Sequence, residues 1–86
     1  MHAAHIRKEA YKVLNYACQH CDSELNFTGN ISEIRNKLHI DEKILPLALI
    51  YLASSGMLGA VNVETDDILK IRGIYFHAIN WLADFK

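Results

Sequence analysis

The stretch from Asn30 to Leu58 constrains the fold most strongly, because its pattern predicts two helices separated by a tight turn. Asn30 is a favourable N-cap residue, and Glu33 stands three residues later, where a capping box places its acidic partner. Apolar residues then recur at helical spacing. We therefore predict a helix, helix 2, over Ile31–His39.

A second helix of this pair, helix 3, is predicted to run from about Asp41, as its N-cap, to Ser55. Pro46 falls in or just after its first turn, where a missing N–H is tolerated. Gly56 is expected just after the helix, because glycine readily adopts the left-handed conformation that ends many helices. The residues of helix 3 predicted to face the core are Leu45, Ala48, Leu49 and Leu52.

The other segments predict a helix at each end of the chain and a β-hairpin before the last helix. No linker divides the chain, so residues 1–86 are expected to form a single α+β domain. The expected elements are helix 1 over His2–Asp22, a turn and short strand over Ser23–Gly29, hairpin strands at Met57–Val63 and Ile68–Arg72 joined by a turn at Glu64–Asp67, and a C-terminal helix at about Gly73–Lys86.

This order of elements resembles the winged-helix, or winged helix-turn-helix, domain of small bacterial and phage regulators. The resemblance covers roughly Thr28 to Leu82 and rests on two segments, NISEIRNKLHIDEKILPLALIYLASSGMLGAV and ILKIRGIYFHAINWL. The first is similar to two helices that run into a wing strand. The second is similar to the other wing strand followed by the glycine that opens a C-terminal helix. The resemblance implies base contacts on the outer face of helix 3 and phosphate contacts on the wing, although such domains bind DNA, RNA or proteins.

Helix 3 departs from that pattern, because its outer face lacks the polar groups that read bases and phosphates. Lys43 is its single cation away from the predicted core. An apolar strip on a small domain usually marks an interface, so we interpret this face as a protein-binding surface. The alternatives are that the chain's own C-terminal segment covers the strip, or that it faces DNA. The residues assigned to the surface are Pro46, Leu47, Ile50 and Ala53.

The predicted wing also departs from a DNA-binding pattern. Its tip carries the carboxylates of Glu64, Asp66 and Asp67, which phosphates would repel unless the segment is simply a solvated turn. Cations elsewhere could form an atypical nucleic-acid surface, or they could be ordinary solvated side chains. These candidate nucleic-acid contacts are Arg7, Lys8, Lys12, Arg35, Lys37, Lys43, Lys70 and Arg72.

The C-terminal helix is predicted to be apolar over more than half of its circumference, which is more than one core contact requires. Winged-helix proteins commonly pair through terminal helices, so the resemblance implies a homodimer. We expect Phe76, Ile79 and Trp81 at its interface, where large aromatic side chains commonly supply much of the binding energy.

No catalytic, cofactor or metal site is predicted. Cys18 and Cys21 form a Cys-x-x-Cys motif, but a structural zinc site needs a second pair of ligands that the chain does not offer. We expect both to be reduced thiols, with Cys21 in the core and Cys18 at the edge of the apolar stripe of helix 1. The sequence also lacks a Gly-rich phosphate loop and a nucleophile motif, so it is not predicted to be an enzyme.

The composition favours a domain that binds proteins over one that binds nucleic acids non-specifically. Nine Lys and Arg residues stand against ten Asp and Glu, giving a net charge of −1, whereas non-specific DNA affinity comes mostly from basic charge. No signal peptide or apolar run long enough to span a membrane is evident, so we expect a cytoplasmic protein. The leading hypothesis is a domain that acts through protein contacts, as a homodimer or as an accessory factor in a nucleic-acid process. The alternative is a DNA-binding transcriptional regulator that uses the basic residues of helices 1 and 2 and of the wing.

Overall fold

The structure, a computed structural model, describes residues 3–64 and 67–84. Its elements follow the predicted order of helix, strand, helix, helix, hairpin and helix. The α+β class is therefore confirmed. The bounds are α1 (Ala3–His20), β1 (Phe27–Asn30), α2 (Ile31–Leu38), α3 (Ile44–Ser54), β2 (Leu58–Glu64), β3 (Ile68–Ile74) and α4 (Phe76–Asp84).

The three strands form one antiparallel sheet in the order β1-β3-β2. The central strand β3 pairs through Ile71 with Phe27 of β1 and with Val61 of β2. Ile71 is also almost fully buried, because α1 and α3 pack against the same face of the sheet. β2 and the short β1 are therefore the two edges of the sheet.

The core joins the apolar stripe of α1, the inner face of α3 and the buried side chains of β3. Burying these side chains supplies most of the stability of so small a domain, at roughly 25 cal/mol per Å² of apolar surface. The predicted inner face of helix 3 is confirmed, because Leu45, Ala48, Leu49 and Leu52 are all buried.

The starts of α2 and α3 agree with the sequence. Asn30 caps α2, with its side-chain oxygen accepting from the backbone N–H of Glu33 at 3.0 Å. The regular α3 helix begins at Ile44, but Asp41 makes the contacts of an N-cap for it. Its carboxylate accepts from the N–H of Lys43 at 2.7 Å, and its carbonyl accepts from the N–H of Leu45 at 3.1 Å.

The prediction that Gly73 opens the C-terminal helix is wrong, because Gly73 lies within β3 and α4 begins at Phe76. A regular strand would place Ile71 and Ile74 on opposite faces of the sheet, yet both are buried. Gly73 has a φ of +72°, a left-handed conformation that glycine adopts without strain. This conformation shifts the alternation by one residue and turns Ile74 into the core.

Gly56 ends α3 as the sequence predicts, with a φ of +73°. Its N–H donates to the carbonyl of Ala53 at 3.2 Å, and the N–H of Met57 donates to the carbonyl of Leu52 at 3.1 Å. These two bonds define a Schellman motif. Met57 and Leu52 are both buried, which adds the apolar contact that usually accompanies the motif.

Replacing Gly56 by alanine should destabilise the domain by about 1–2 kcal/mol, because a Cβ disfavours the left-handed conformation. No atom lies within 4 Å of the position that this Cβ would take, so the loss is conformational and not steric. Gly56→Asn should lose less, since asparagine adopts this conformation more readily. Urea unfolding of the three proteins measures the difference, and equal losses for alanine and asparagine would contradict the assignment.

Candidate functional site

The outer face of α3 is exposed. Ile50 lies opposite the buried stripe of the helix and is 60% exposed, while Leu47 is 44% exposed. Pro46 and Ala53 are exposed as well. The alternative in which the chain's own C-terminal segment covers Ile50 is therefore wrong for the residues that the structure describes.

An apolar groove runs between α3 and the edge strand β2. It has a volume of about 310 Å³, and we call it the α3–β2 groove. Residues at helical spacing on α3 form one wall of the groove, and residues of the edge strand β2 form the other. The groove is lined by Pro46, Leu49, Ile50, Ala53, Val61 and Val63.

Sequence reasoning missed the strand side of this groove. Val61 pairs with Ile71 and Val63 pairs with Leu69, and these two partners on β3 are buried. Cross-strand partners share a face of the sheet, so both valines point to the core side. Val61 is partly buried against the core, but the helices do not cover Val63, which is 62% exposed. Val61 and Val63 occupy alternate positions of their strand, as the buried Leu69 and Ile71 of β3 do, and this alternation was the available sequence signal. Only the strand order reveals that the two valines lie at an edge.

The groove continues toward α2 as a second hollow of about 280 Å³. Pro46, Leu49 and Val63 line both hollows. Polar side chains close this end, where a guanidinium nitrogen of Arg35 lies 3.9 Å from the carboxylate of Glu42. The surface is thus an apolar groove with a charged end.

Asp67 connects the hairpin to the start of α2. Its carboxylate accepts hydrogen bonds from the backbone N–H of Ser32 at 2.9 Å and from the hydroxyl of Ser32 at 2.5 Å. These bonds, with a smaller contribution from the charge of Arg35, lower the pKa of Asp67 below its ordinary value. The carboxylate therefore caps a helix that is remote in sequence, a role that sequence reasoning did not foresee.

The turn of the β2–β3 hairpin carries less unpaired acidic charge than its sequence suggests. Glu64 forms an ion pair with Lys70 on the neighbouring strand at 3.2 Å. Asp67 is bound to Ser32. Asp66, the third predicted carboxylate, lies outside the described residues. Glu64 thus pairs within the hairpin, and Asp67 joins the hairpin to α2.

The candidate nucleic-acid contacts do not share one surface element. Local carboxylates neutralise several of them, through the pairs Lys12–Glu9 at 3.2 Å, Arg35–Glu42 at 3.9 Å, Lys37–Glu33 at 3.1 Å and Lys70–Glu64 at 3.2 Å. The others are distributed over α1, the start of α3 and the outer face of β3, and they are Arg7, Lys8, Lys43 and Arg72.

The expected interface residues of the C-terminal helix divide into two groups. Phe76 is 76% exposed and Ile79 is 37% exposed, and with Tyr75 at 50% they form what we call the α4 patch. Trp81 differs, because it is partly buried against the core and its ring lies 6.3 Å from that of Tyr11 in an edge-to-face arrangement. Trp81 therefore joins α4 to α1 within the chain, and we leave it out of the patch.

The two cysteines lie near the end of α1 and are free and half-buried. The thiol of Cys21 donates to the carbonyl of Cys18 at 3.3 Å. Burial, and to a smaller extent Cys21, raises the pKa of the Cys18 thiol, which keeps it protonated near neutral pH. Within the described residues, no group of three or more His, Cys, Asp or Glu side chains could hold a metal ion.

No protein-family model, curated protein or solved structure matches this chain. None of the described helices has the length and apolar character needed to cross a membrane. Among the described residues, the α3–β2 groove and the α4 patch both expose large apolar side chains.

The bond between Asp67 and Ser32 predicts a pH dependence. A carboxylate whose pKa is lowered by folding stabilises the domain above its unfolded pKa of about 3.9, and this stabilisation is lost as the pH falls through the lower folded value. In Ser32→Ala, the pKa of Asp67 should move back toward its ordinary value. Carboxyl NMR titration of both proteins measures the shift, with Asp22 as an internal reference, and an unchanged pKa of Asp67 would refute the role of Ser32.

Proposed function

We propose that this chain is a small winged-helix domain that acts through protein–protein contacts at its α3–β2 groove. The fold proposal is supported by the element order and by the antiparallel β2–β3 hairpin that follows the α2–α3 pair. In this interpretation the hairpin is the wing. The domain would work in the cytoplasm as a homodimer or as an accessory factor in a nucleic-acid process, a context that the winged-helix likeness alone suggests.

The observation that carries the proposal is the exposure of Ile50 and Val63 on the two sides of one groove. Each is an aliphatic side chain that water contacts over more than half of its surface. Covering such side chains is favourable, and contiguous apolar surface on a soluble domain commonly marks a binding site. Protein side chains would match the groove, because it offers shape and apolar contact but few polar groups.

A DNA-binding regulator is the weaker proposal. A recognition helix needs polar or basic groups to reach base edges, and the exposed positions of α3 are mainly apolar. Phosphate contacts need available cations, and Lys12, Lys37 and Lys70 are each within 3.3 Å of a carboxylate of this chain. DNA would have to displace those carboxylates to use these cations.

Ile50→Lys should leave the free energy of unfolding within about 0.5 kcal/mol of the wild type, as for other surface positions. Gln19→Lys is the matched control, because Gln19 is an exposed position of α1 outside the groove. Thermal and urea unfolding of the three proteins tests this result. A large loss of stability confined to Ile50→Lys would show that Ile50 packs within the chain, and the groove would no longer be a binding surface.

Partner binding can be tested by site-specific photo-crosslinking in the cells that naturally produce the protein. A photoreactive amino acid at Ile50 should yield a discrete protein adduct, whereas the same group at Gln19 should not. Adding Val63→Lys to the Ile50 probe should abolish the adduct, since an unpaired charge would then lie in an apolar contact. The absence of any adduct specific to Ile50 would refute the proposed function, whichever protein is the partner.

A further inference from the structure

The free edge of β2 lacks the features that usually protect sheet edges. Proteins protect such edges with very short strands, proline, lysine or inward-pointing charge. The other edge strand, β1, has only four residues and runs directly into α2. β2 has seven residues, LGAVNVE, without proline or lysine, and most of its side chains are exposed. Its unpaired backbone groups can therefore accept another strand.

The two faces of β2 differ in a way that suits a second copy of the same strand. Val61 and Val63 point to the core side and line the groove. Ala60, Asn62 and Glu64 alternate with them and point to the opposite face. When two such strands pair antiparallel about a two-fold axis perpendicular to the sheet, each keeps its faces aligned with those of its partner. Valine then meets valine on one face, and polar residues meet on the other.

Charge complementarity selects one register. Arg72 is the β3 partner of Ala60, and both lie on the outer face of the sheet. Glu64 lies on the same face, toward the other end of β2. If the two-fold axis passes at Asn62, the partner's Glu64 falls opposite Ala60. The small side chain of Ala60 then leaves room for that carboxylate to reach Arg72, and symmetry produces the contact twice.

Shifting the register removes these contacts. Centring the axis on Val61 would place the partner's Glu64 opposite Leu58, which is buried, and a carboxylate there would be costly. Centring it on Val63 would place the partner's Glu64 opposite Asn62 and away from Arg72. The register centred on Asn62 alone joins the valines and also pairs the opposite charges.

We propose that the occupant of the α3–β2 groove is a second copy of this chain, docked by antiparallel pairing of the two β2 strands centred on Asn62. The proposal rests on the proposed function and names its partner. One continuous sheet would span both copies. The two grooves would meet on the core side, where Ile50 and Val63 of each copy would be covered by apolar groups of the other.

Reversing the charges tests the register directly. The first variant is Arg72→Glu. The second carries Glu64→Lys together with Lys70→Glu, which preserves the ion pair within the hairpin in reversed polarity. Each variant alone places like charges together twice across the interface, and its dimer dissociation constant should rise by roughly tenfold. An equimolar mixture restores opposite charges at both contacts, so it should form heterodimers with near wild-type affinity.

Sedimentation across the micromolar range and native mass spectrometry of the mixture supply the readouts, and thermal melts confirm that each variant is folded. A wild-type protein that stays monomeric over this range would overturn the proposal. A mixture no tighter than its components would overturn it as well. So would a dimer that survives both variants but is lost in Phe76→Lys, because that result would place the interface at the α4 patch.

Cysteine cross-linking provides a second test, in a Cys18→Ser, Cys21→Ser background. Asn62 lies on the proposed axis, so its two copies would have Cα atoms about 4.5–5.5 Å apart, which suits a disulfide. The two copies of Ala60 would be about 13 Å apart along the strands. Mild oxidation should therefore cross-link Asn62→Cys rapidly and leave Ala60→Cys monomeric. Equal yields, or none at Asn62→Cys, would overturn the register.

These outcomes are separable from failure of the proposed function. If photo-crosslinks from Ile50 reach a different protein while the β2 tests fail, the groove remains a binding surface and only the identity of its partner is wrong. If Ile50 gives no specific adduct and no dimer forms, both proposals fail.

Discussion

The packing of α3 against α1 is the contact on which the rest of the structure depends. The two helices contribute Leu14, Ala48 and Leu52 to a core that also holds Leu69 and Ile71 of β3, and an 86-residue chain has little core to spare. The same contact directs Ile50 away from the core, and α3 reaches β2 without covering Val63, which is 62% exposed. The exposed groove is thus a geometric consequence of how the core closes.

Local patterns were enough to predict the element order, the inner face of helix 3, the cap at Asn30 and the termination at Gly56. Each depends on residues within a few positions of one another.

The errors arose where distant residues decide the outcome. Gly73 could be assigned to β3 only once the pairing with β2 was known, because Ile74 also fits the helical spacing of the residues that follow it. Asp67 could be recognised as a cap for α2 only after the hairpin had brought it to Ser32, 35 residues away in sequence. For the same reason, only the α3 side of the groove could be predicted. A helical wheel identifies Ile50 but cannot place Val63 at a sheet edge.

Several charged side chains of the molecule pair with groups of the same chain. Glu33 and Lys37 pair along α2, Glu64 pairs with Lys70 across the hairpin, and Asp67 binds Ser32. Exposed pairs of this kind add little stability individually, typically about 0.2–1 kcal/mol each. They do reduce the field that would attract a polyanion. An apolar groove beside locally neutralised charge favours protein contact over nucleic-acid contact. The carboxylate of Glu64 on β2 and the guanidinium of Arg72 on β3, beside Ala60, favour a symmetric partner.

Hydrogen exchange at different protein concentrations tests the central claim most directly, because it reports on the β2 edge without any substitution. The account predicts that backbone amides of Leu58–Glu64 exchange more slowly as the concentration rises through the micromolar range, while those of β1, the other edge strand, do not change. Exchange in β2 that is independent of concentration would contradict a self-associating edge, and protection confined to α4 would place the interface elsewhere.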